Sequence, residues 1–203
     1  LADALEEKYI VLRPARSDFD LTDAVATRTY ISRSRPDVIL HSATHTSHSN
    51  MPDCEDNLRM FFNLAHLDDA YEKLIYFGSG AEYGKDKNII QAVETSIGSN
   101  IPVDSYGFSK LVQTWYVRER KNIVNLRLFG MLGIFEDYRR NFVSNLCTKA
   151  LLDIPLTIRQ DCRFSYLDID DLVSMVVWTI ENDTQYSDYN ACNNQYFYLS
   201  EIA

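Results

Sequence analysis

Residues 73–80 read KLIYFGSG and residues 122–130 read NIVNLRLFG, two near-continuous apolar runs on either side of SYGFSK at 105–110. Runs this short, rich in β-branched and aromatic side chains and punctuated by glycine, are strands buried on both faces of a sheet. SYGFSK opens a helical stretch over about 105–120, so the three segments read strand, helix, strand. That order closes as a parallel crossover unit. The alternation continues toward the N-terminus. DVILHSA (37–43) and YIVLRPA (9–15) read as strands, LTDAVATRTYISRS (21–34) and residues 51–72 as helices, and LADALEEK as the end of a helix. The strand itself spans 73–80, a polar loop runs to about 103, and the later strand extends over 122–132. The fold class is α/β, a doubly wound parallel sheet covered by helices on both faces.

Beyond residue 133 the rhythm loosens. A helix is expected over 139–152, short strands near 156–160 and 165–169, a helix over 170–182, a strand at DYNAC (188–192) and a helix beginning at LSEIA. With no Gly/Ser-rich or Pro-rich linker, 134–203 is expected to be a smaller lobe interleaved with the sheet of 1–133. A sheet of this type normally opens on a strand and a glycine-rich turn that sets a helix N-terminus against a pyrophosphate. No G-x-G-x-x-G or G-x-x-G-x-x-G occurs. The expectation is either a fragment of a longer protein, whose residues 1–203 alone fold poorly, or a protein that does not hold a dinucleotide in the usual way.

The 203 residues are 46% apolar with a net charge of −9, enough for one packed domain and unfavourable for nucleic acid or an anionic membrane. No apolar run reaches the roughly 18 residues of a membrane span, and the first residues show no signal segment, so a cytoplasmic location is expected. Cys54, Cys147, Cys162 and Cys192 have no metal or redox-motif spacing and are expected as free thiols.

Three residues carry the chemistry. Ser79 ends the 73–80 strand between Gly78 and Gly80, at the edge of the sheet where ligands of open α/β folds bind. Tyr106 and Lys110 are one helical turn apart, so a cation can lower the pKa of a phenol that exchanges protons near neutral pH. Asp104 or Ser105 is the expected N-cap. The same spacing recurs at Tyr83 and Lys87, but in a polar loop without helical periodicity.

A serine after a strand, Tyr-x-x-x-Lys opening the next helix, then NLRLFG: in this order the chain resembles an extended short-chain dehydrogenase/reductase of the NAD-dependent epimerase/dehydratase family. DLTD (20–23), DVILHSAT (37–44), Asn57 in EDNLRMFFNL, YFGSGAEYG and YLDIDDLV (166–173) fall in the family's order. The resemblance implies a Rossmann-like sheet, a nicotinamide cofactor and a nucleotide-linked sugar as substrate. It implies Tyr106 as acid/base, Lys110 holding the nicotinamide ribose and Ser79 bonding the reacting sugar oxygen. It places Asp20 near the adenine, Ala43, Thr44 and Asn57 along the cofactor, and Gly80, Asn141 and Arg163 at the substrate. A homodimer through the helix beginning at Tyr106 is common in the family. Arg13 and Arg16 stand where an acidic residue would favour NAD, which favours NADP, although two solvated arginines account for them equally well.

Departures from the family pattern narrow the reaction. Dehydratases place Asp-Glu after the Ser/Thr position, where this chain has Gly80 and Ala81; fucose-synthase-type enzymes use a Cys in that turn and a later His, here Ala81 and no His after His66. What remains is 4-keto reduction, alcohol oxidation or 4-epimerisation. The family's Asn after R-x-F is Gly130 here, and its phosphate-clamping Arg is Phe164, with Arg139, Arg140, Arg159 and Arg163 as replacements. A non-catalytic Rossmann-like binding or regulatory module is the alternative. His41, His45 and His48 with Asp53 and Cys54 invite a metal, but none is expected; Phe61–Phe62 and Tyr196–Tyr198 are expected in the core.

Overall fold

The computed structural model describes residues 1–45, 51–86 and 89–203, and of 51–53 the backbone only. The central sheet has the order β1-β2-β3-β7, from β1 (Val38–His41), β2 (Lys73–Ser79), β3 (Ile123–Leu128) and β7 (Asp188–Ala191). All three pairings are parallel, with Val38 opposite Lys73, Ser79 opposite Leu128 and Ala191 opposite Leu128 on the other side. Because side chains alternate across a strand, β2 divides its apolar residues between two cores. Leu74 and Tyr76 pack with Ile31, Phe61, Leu64 and Val117 from α2 (Ala24–Ser34), α3 (Met51–Ala65) and α4 (Ser105–Arg118). Ile75 and Phe77 pack on the other face with Leu5 of α1 (Ala2–Glu6) and Leu172 and Val176 of α6 (Ile169–Glu181). The parallel sheet covered on both faces is as expected.

Helix ends follow local chemistry. Asp23 accepts from the amides of Val25 and Ala26 to start α2, Asp104 from Gly107 to start α4, and Asp168 from Asp170 to start α6. Arg35, at φ 46°, closes α2.

Several segments depart from the sequence expectation. Residues 9–15 form no strand: among the described residues no strand pairs with them to complete a ladder, Ile10 is 97% exposed, and the Tyr9 hydroxyl donates to Glu181. The long strand over 122–132 breaks at Phe129, and β4 (Gly130–Leu132) leaves the main sheet to pair with β6 (Tyr166–Asp168). Residues 156–160 are not a strand. The pairing there is β5 (Arg163–Phe164) with β8 (Phe197–Tyr198), antiparallel. α3 stops at Ala65 and a short 3₁₀ turn, Asp68–Ala70, follows. Phe61 is fully buried, but Tyr196, Phe197 and Tyr198 are each more than 40% exposed, since among the described residues β8 belongs to a two-stranded sheet with the two-residue β5. α5 (Phe142–Leu151) and α7 (Leu199–Ile202) complete the chain. Among the described residues no helix is long and apolar enough to cross a membrane.

Candidate active site

Ser79 leaves the C-terminal end of β2 and caps the 3₁₀ turn Gly80–Tyr83, its Oγ accepting from the Ala81 amide at 3.2 Å. Two buried side chains hold the turn from below. The Gly78 amide donates to Asn125 Oδ1 at 2.9 Å, and the Ser79 amide to Glu82 Oε1 at 2.9 Å. A Cβ on Gly78 would collide with both of those side chains, so only glycine admits them.

The Asp104 cap starts α4 against this turn. Gly107 comes so close that a Cβ there would be 2.7 Å from the Ala81 carbonyl oxygen. The close approach brings Tyr106 beside the Ser79 side chain, whose hydrogen-bonding influence lowers the phenol's pKa. Lys110, one turn on, is buried. Its Nζ donates to the Phe77 carbonyl at 2.9 Å and lies 4.5 Å from the Tyr76 ring centroid and 5.8 Å from that of Tyr106. The three residues chosen from the sequence are thus together at one strand end.

The electrostatics correct one expectation. Burial raises the Tyr106 phenol above its ordinary pKa, opposed by the hydrogen-bonding influence of Ser79; the Lys110 ammonium lies 5.8 Å from the ring centroid. Burial lowers Lys110 to about 8, against the pull of Glu82. His41 is held neutral, lowered to about 3 by burial and by Lys110, and stacks on Tyr76 as an ordinary strand residue.

The loop after β1 is stapled by Asn57 of α3. Its Oδ1 accepts from the His45 amide at 2.7 Å and from Thr44 Oγ1 at 3.2 Å, and its Nδ2 donates to the His45 carbonyl at 2.9 Å. Ala43 precedes this staple and is exposed. At the other end of the expected cofactor groove, Arg13 pairs with Asp3 and Glu6, and Arg16 with Asp20 at 3.0 Å. Asp20 is lowered to about 2, chiefly by the Thr22 amide and hydroxyl and then by Arg16.

On the side expected to meet substrate, Gly80 is buried beneath the Phe129 ring, and Asn141 stands as the exposed N-cap of α5 without a side-chain cap bond. The Arg163 guanidinium lies 4.9 Å and 4.7 Å from the rings of Tyr196 and Tyr198. Arg139 is tied to Asp137 at 2.9 Å.

The sequence reading missed the polar assembly beneath the site. Glu82 and Arg127 are fully buried and joined at 2.6 Å; Arg127 also reaches Asp188 at 2.7 Å, and Asp188 reaches Arg118 at 2.9 Å. The signal was Arg127, a cation inside the apolar run NLRLFG, which requires a buried anion. The Tyr83 hydroxyl donates to Asn190 within this assembly, so Tyr83 is structural; Lys87 lies outside the described residues. Lys85, also unforeseen, stands 5.5 Å from the Tyr106 ring centroid. His48 and the Asp53 side chain lie outside the described residues, among which no cluster of three metal-ligating side chains occurs.

The model of the NAD dependent epimerase/dehydratase family matches residues 2–192. No curated protein sequence matches the chain. Among solved structures, a GDP-L-fucose synthetase from Naegleria fowleri superposes with a TM-score of 0.82 at 17% identity, over 98% of this chain and 75% of that one. GDP-mannoheptose C4 reductase from Campylobacter jejuni, with NADP bound, gives 0.83 at 16% identity, over 98% and 76%. WbmG from Bordetella bronchiseptica, in complex with NAD and UDP, gives 0.77 at 17% identity, over 90% of this chain and 59% of that one. At these identities the likeness is one of fold.

Proposed function

This chain belongs to the NAD-dependent epimerase/dehydratase family, and from that premise we propose that it is an NAD(P)-dependent oxidoreductase or 4-epimerase of a nucleotide-linked sugar in glycan-precursor synthesis. The observation that carries the reading is the convergence of Ser79, which caps the turn at the C-terminal end of β2, with the first turn of α4 packed against it, where Lys110 Nζ lies 5.8 Å from the Tyr106 ring centroid and donates to the Phe77 carbonyl of β2.

The residues present fit a nicotinamide nucleotide. Thr44 and Asn57 hold a fixed loop at the end of β1, and the buried Lys110 ammonium, whose described acceptor is Phe77, has further donors for ribose hydroxyls. When bound, the nicotinamide supplies or accepts hydride at the sugar carbon. Tyr106 gives a proton to the oxygen on that carbon during reduction and takes one during oxidation. Ser79 holds the same oxygen and keeps the phenol oriented. Burial above the ordinary phenol pKa keeps Tyr106 protonated at neutral pH, which suits the reductive direction. Arg13 and Arg16 incline the reading toward NADP over NAD, and the proposal extends to a cytoplasmic homodimer. The half-exposed Phe108 and Trp115 on α4 support that pairing.

The test is turnover of GDP-4-keto-6-deoxymannose with NADPH and with NADH, and of UDP-galactose with NAD, by the whole protein and by Tyr106→Phe. The expected result is turnover that falls about 10²- to 10⁴-fold in the variant while cofactor binding is kept. No turnover of either sugar, or an unaffected variant, would favour the non-catalytic binding module.

A further inference from the structure

One carboxylate joins the two elements that carry the site. Glu82 Oε1 accepts from the Ser79 amide at 2.9 Å, while Oε2 accepts from Thr114 Oγ1 at 2.8 Å and from Arg127 Nε at 2.6 Å. Thr114 lies on α4, one turn beyond Lys110, so the turn bearing Ser79 and the helix bearing Tyr106 meet on Glu82. Asn125 runs beside it, accepting from the Gly78 amide and donating to Thr114 Oγ1 at 2.7 Å. The Glu82 side chain has no exposed surface. Burying a charge this way is costly, and a pair such as Glu82–Arg127 is often no more stabilising than apolar side chains of the same volume. Stability alone therefore gives a poor account of it.

We propose that Glu82 is a positioning residue, whose carboxylate fixes the Ser79 turn against α4 and sets the electrostatic field at the Tyr106–Lys110 pair. The proposal rests on the reading of Tyr106 as the proton donor. Around that phenol stand Lys110 of α4, Asp104 at its N-cap, Tyr76 of β2, Ser79, Glu82, and Lys85 from the following loop. Among these, Glu82 is a negative charge at full burial that no water screens. It favours the protonated forms of both Tyr106 and Lys110. Arg127, Asp188 and Arg118 carry its counter-charge away from the site toward β7, so that the Ser79 amide and Thr114 meet the carboxylate on the site's side.

The experiment compares native protein, Glu82→Gln, Glu82→Gln with Arg127→Met, and Tyr106→Phe, in the NADPH-dependent reduction of GDP-4-keto-6-deoxymannose across pH. NADPH affinity is measured on each. Glu82→Gln is expected to lower kcat about 10- to 100-fold with KM and NADPH affinity nearly unchanged, since displaced groups lose orientation rather than binding. The alkaline limb of its pH profile moves roughly half a unit or more to lower pH, because the charge that favoured protonation is gone. A purely structural role would scale the profile down with the folded fraction and leave its limbs in place. Should the single variant not fold, the double variant, which leaves no unpaired charge at either position, is read the same way. A folded variant with native kcat and an unshifted profile overturns the proposal while Tyr106→Phe still abolishes turnover. If Tyr106→Phe has no effect, the reading of the site fails and this proposal with it.

Discussion

Gly130 and Phe164 occupy one another's space: a Cβ built on Gly130 would be 3.0 Å from the Phe164 ring, and 2.7 Å from both the Ser165 carbonyl oxygen and the Tyr166 ring. These are the two positions at which the resemblance led to the expectation of an Asn and an Arg in contact with substrate. The structure makes them a single change, in which the ring pair Phe164–Tyr166, with centroids 5.3 Å apart, closes over the start of β4.

Restoring the family's side chain at one position should therefore fail. In Gly130→Asn the Cβ meets backbone that the β4–β6 pairing holds in place, so the variant is expected to lose about 1–3 kcal/mol. Adding Phe164→Arg removes the ring but not the Ser165 carbonyl, so the double variant stays destabilised. Thermal melts of the two check this. A double variant as stable as the native protein would show that the ring alone excludes a side chain at 130.

The proposed role of Lys110 runs against stability. Its folded-state pKa of about 8 lies below the ordinary lysine value of 10.5, so the folded protein binds this proton less tightly than the unfolded chain. Below pH 8 both states carry the charge and the full cost of burying it is present. The cost disappears as pH rises from about 8 to 10.5. Lys110→Met should then be more stable than the native protein by about 2 kcal/mol at pH 7, after allowing for the lost bond to Phe77, with the gain vanishing by pH 10.5. Turnover should be lost at every pH. Urea melts at pH 6, 7 and 9.5 give the slope, and a gain that grows with pH would contradict the assignment.

The buried ion pair predicts strong non-additivity. Arg127→Met leaves Glu82 without its guanidinium, although Asp188 keeps Arg118, and a cost of about 3–5 kcal/mol is expected. Glu82→Gln with Arg127→Met leaves no unpaired charge and should recover most of that loss. A double-mutant cycle by urea denaturation measures the coupling, and additive losses would mean that the pair does not act as a unit.

What could be read from the sequence follows from how each signal is written. That Ser79, Tyr106 and Lys110 would meet at one strand end was legible because strand ends and helical spacing are local, and the continuous apolar runs gave the parallel sheet for the same reason. YIVLRPA looked like a strand because apolar alternation records only which side chains could be buried. It does not record whether a neighbouring strand supplies the ladder, and none does among the described residues. Glu82 escaped because its partners lie 32, 43, 45 and only 3 residues away, at Thr114, Asn125, Arg127 and Ser79. The lowered phenol pKa expected from the Tyr106–Lys110 spacing was wrong in sign because spacing gives proximity but not burial, and here burial is the larger influence.

Asn57 offers a way to separate cofactor holding from proton transfer. It is 2% exposed, accepts from the His45 amide and Thr44, and donates to the His45 carbonyl, so it fixes the loop after β1. Asn57→Ala leaves those loop groups without their buried partner, which costs about 1–3 kcal/mol, and frees the loop. Binding must then order it again, at an entropic cost that appears as weaker affinity. Nicotinamide-nucleotide affinity is expected to fall about tenfold, while kcat at saturating cofactor stays within about twofold of native and the pH limbs stay in place. Titration of the protein with NADPH, followed by steady-state assays at saturation, separates the two effects. A drop in kcat with unchanged affinity would move Asn57 from the cofactor side of the site to the chemical step.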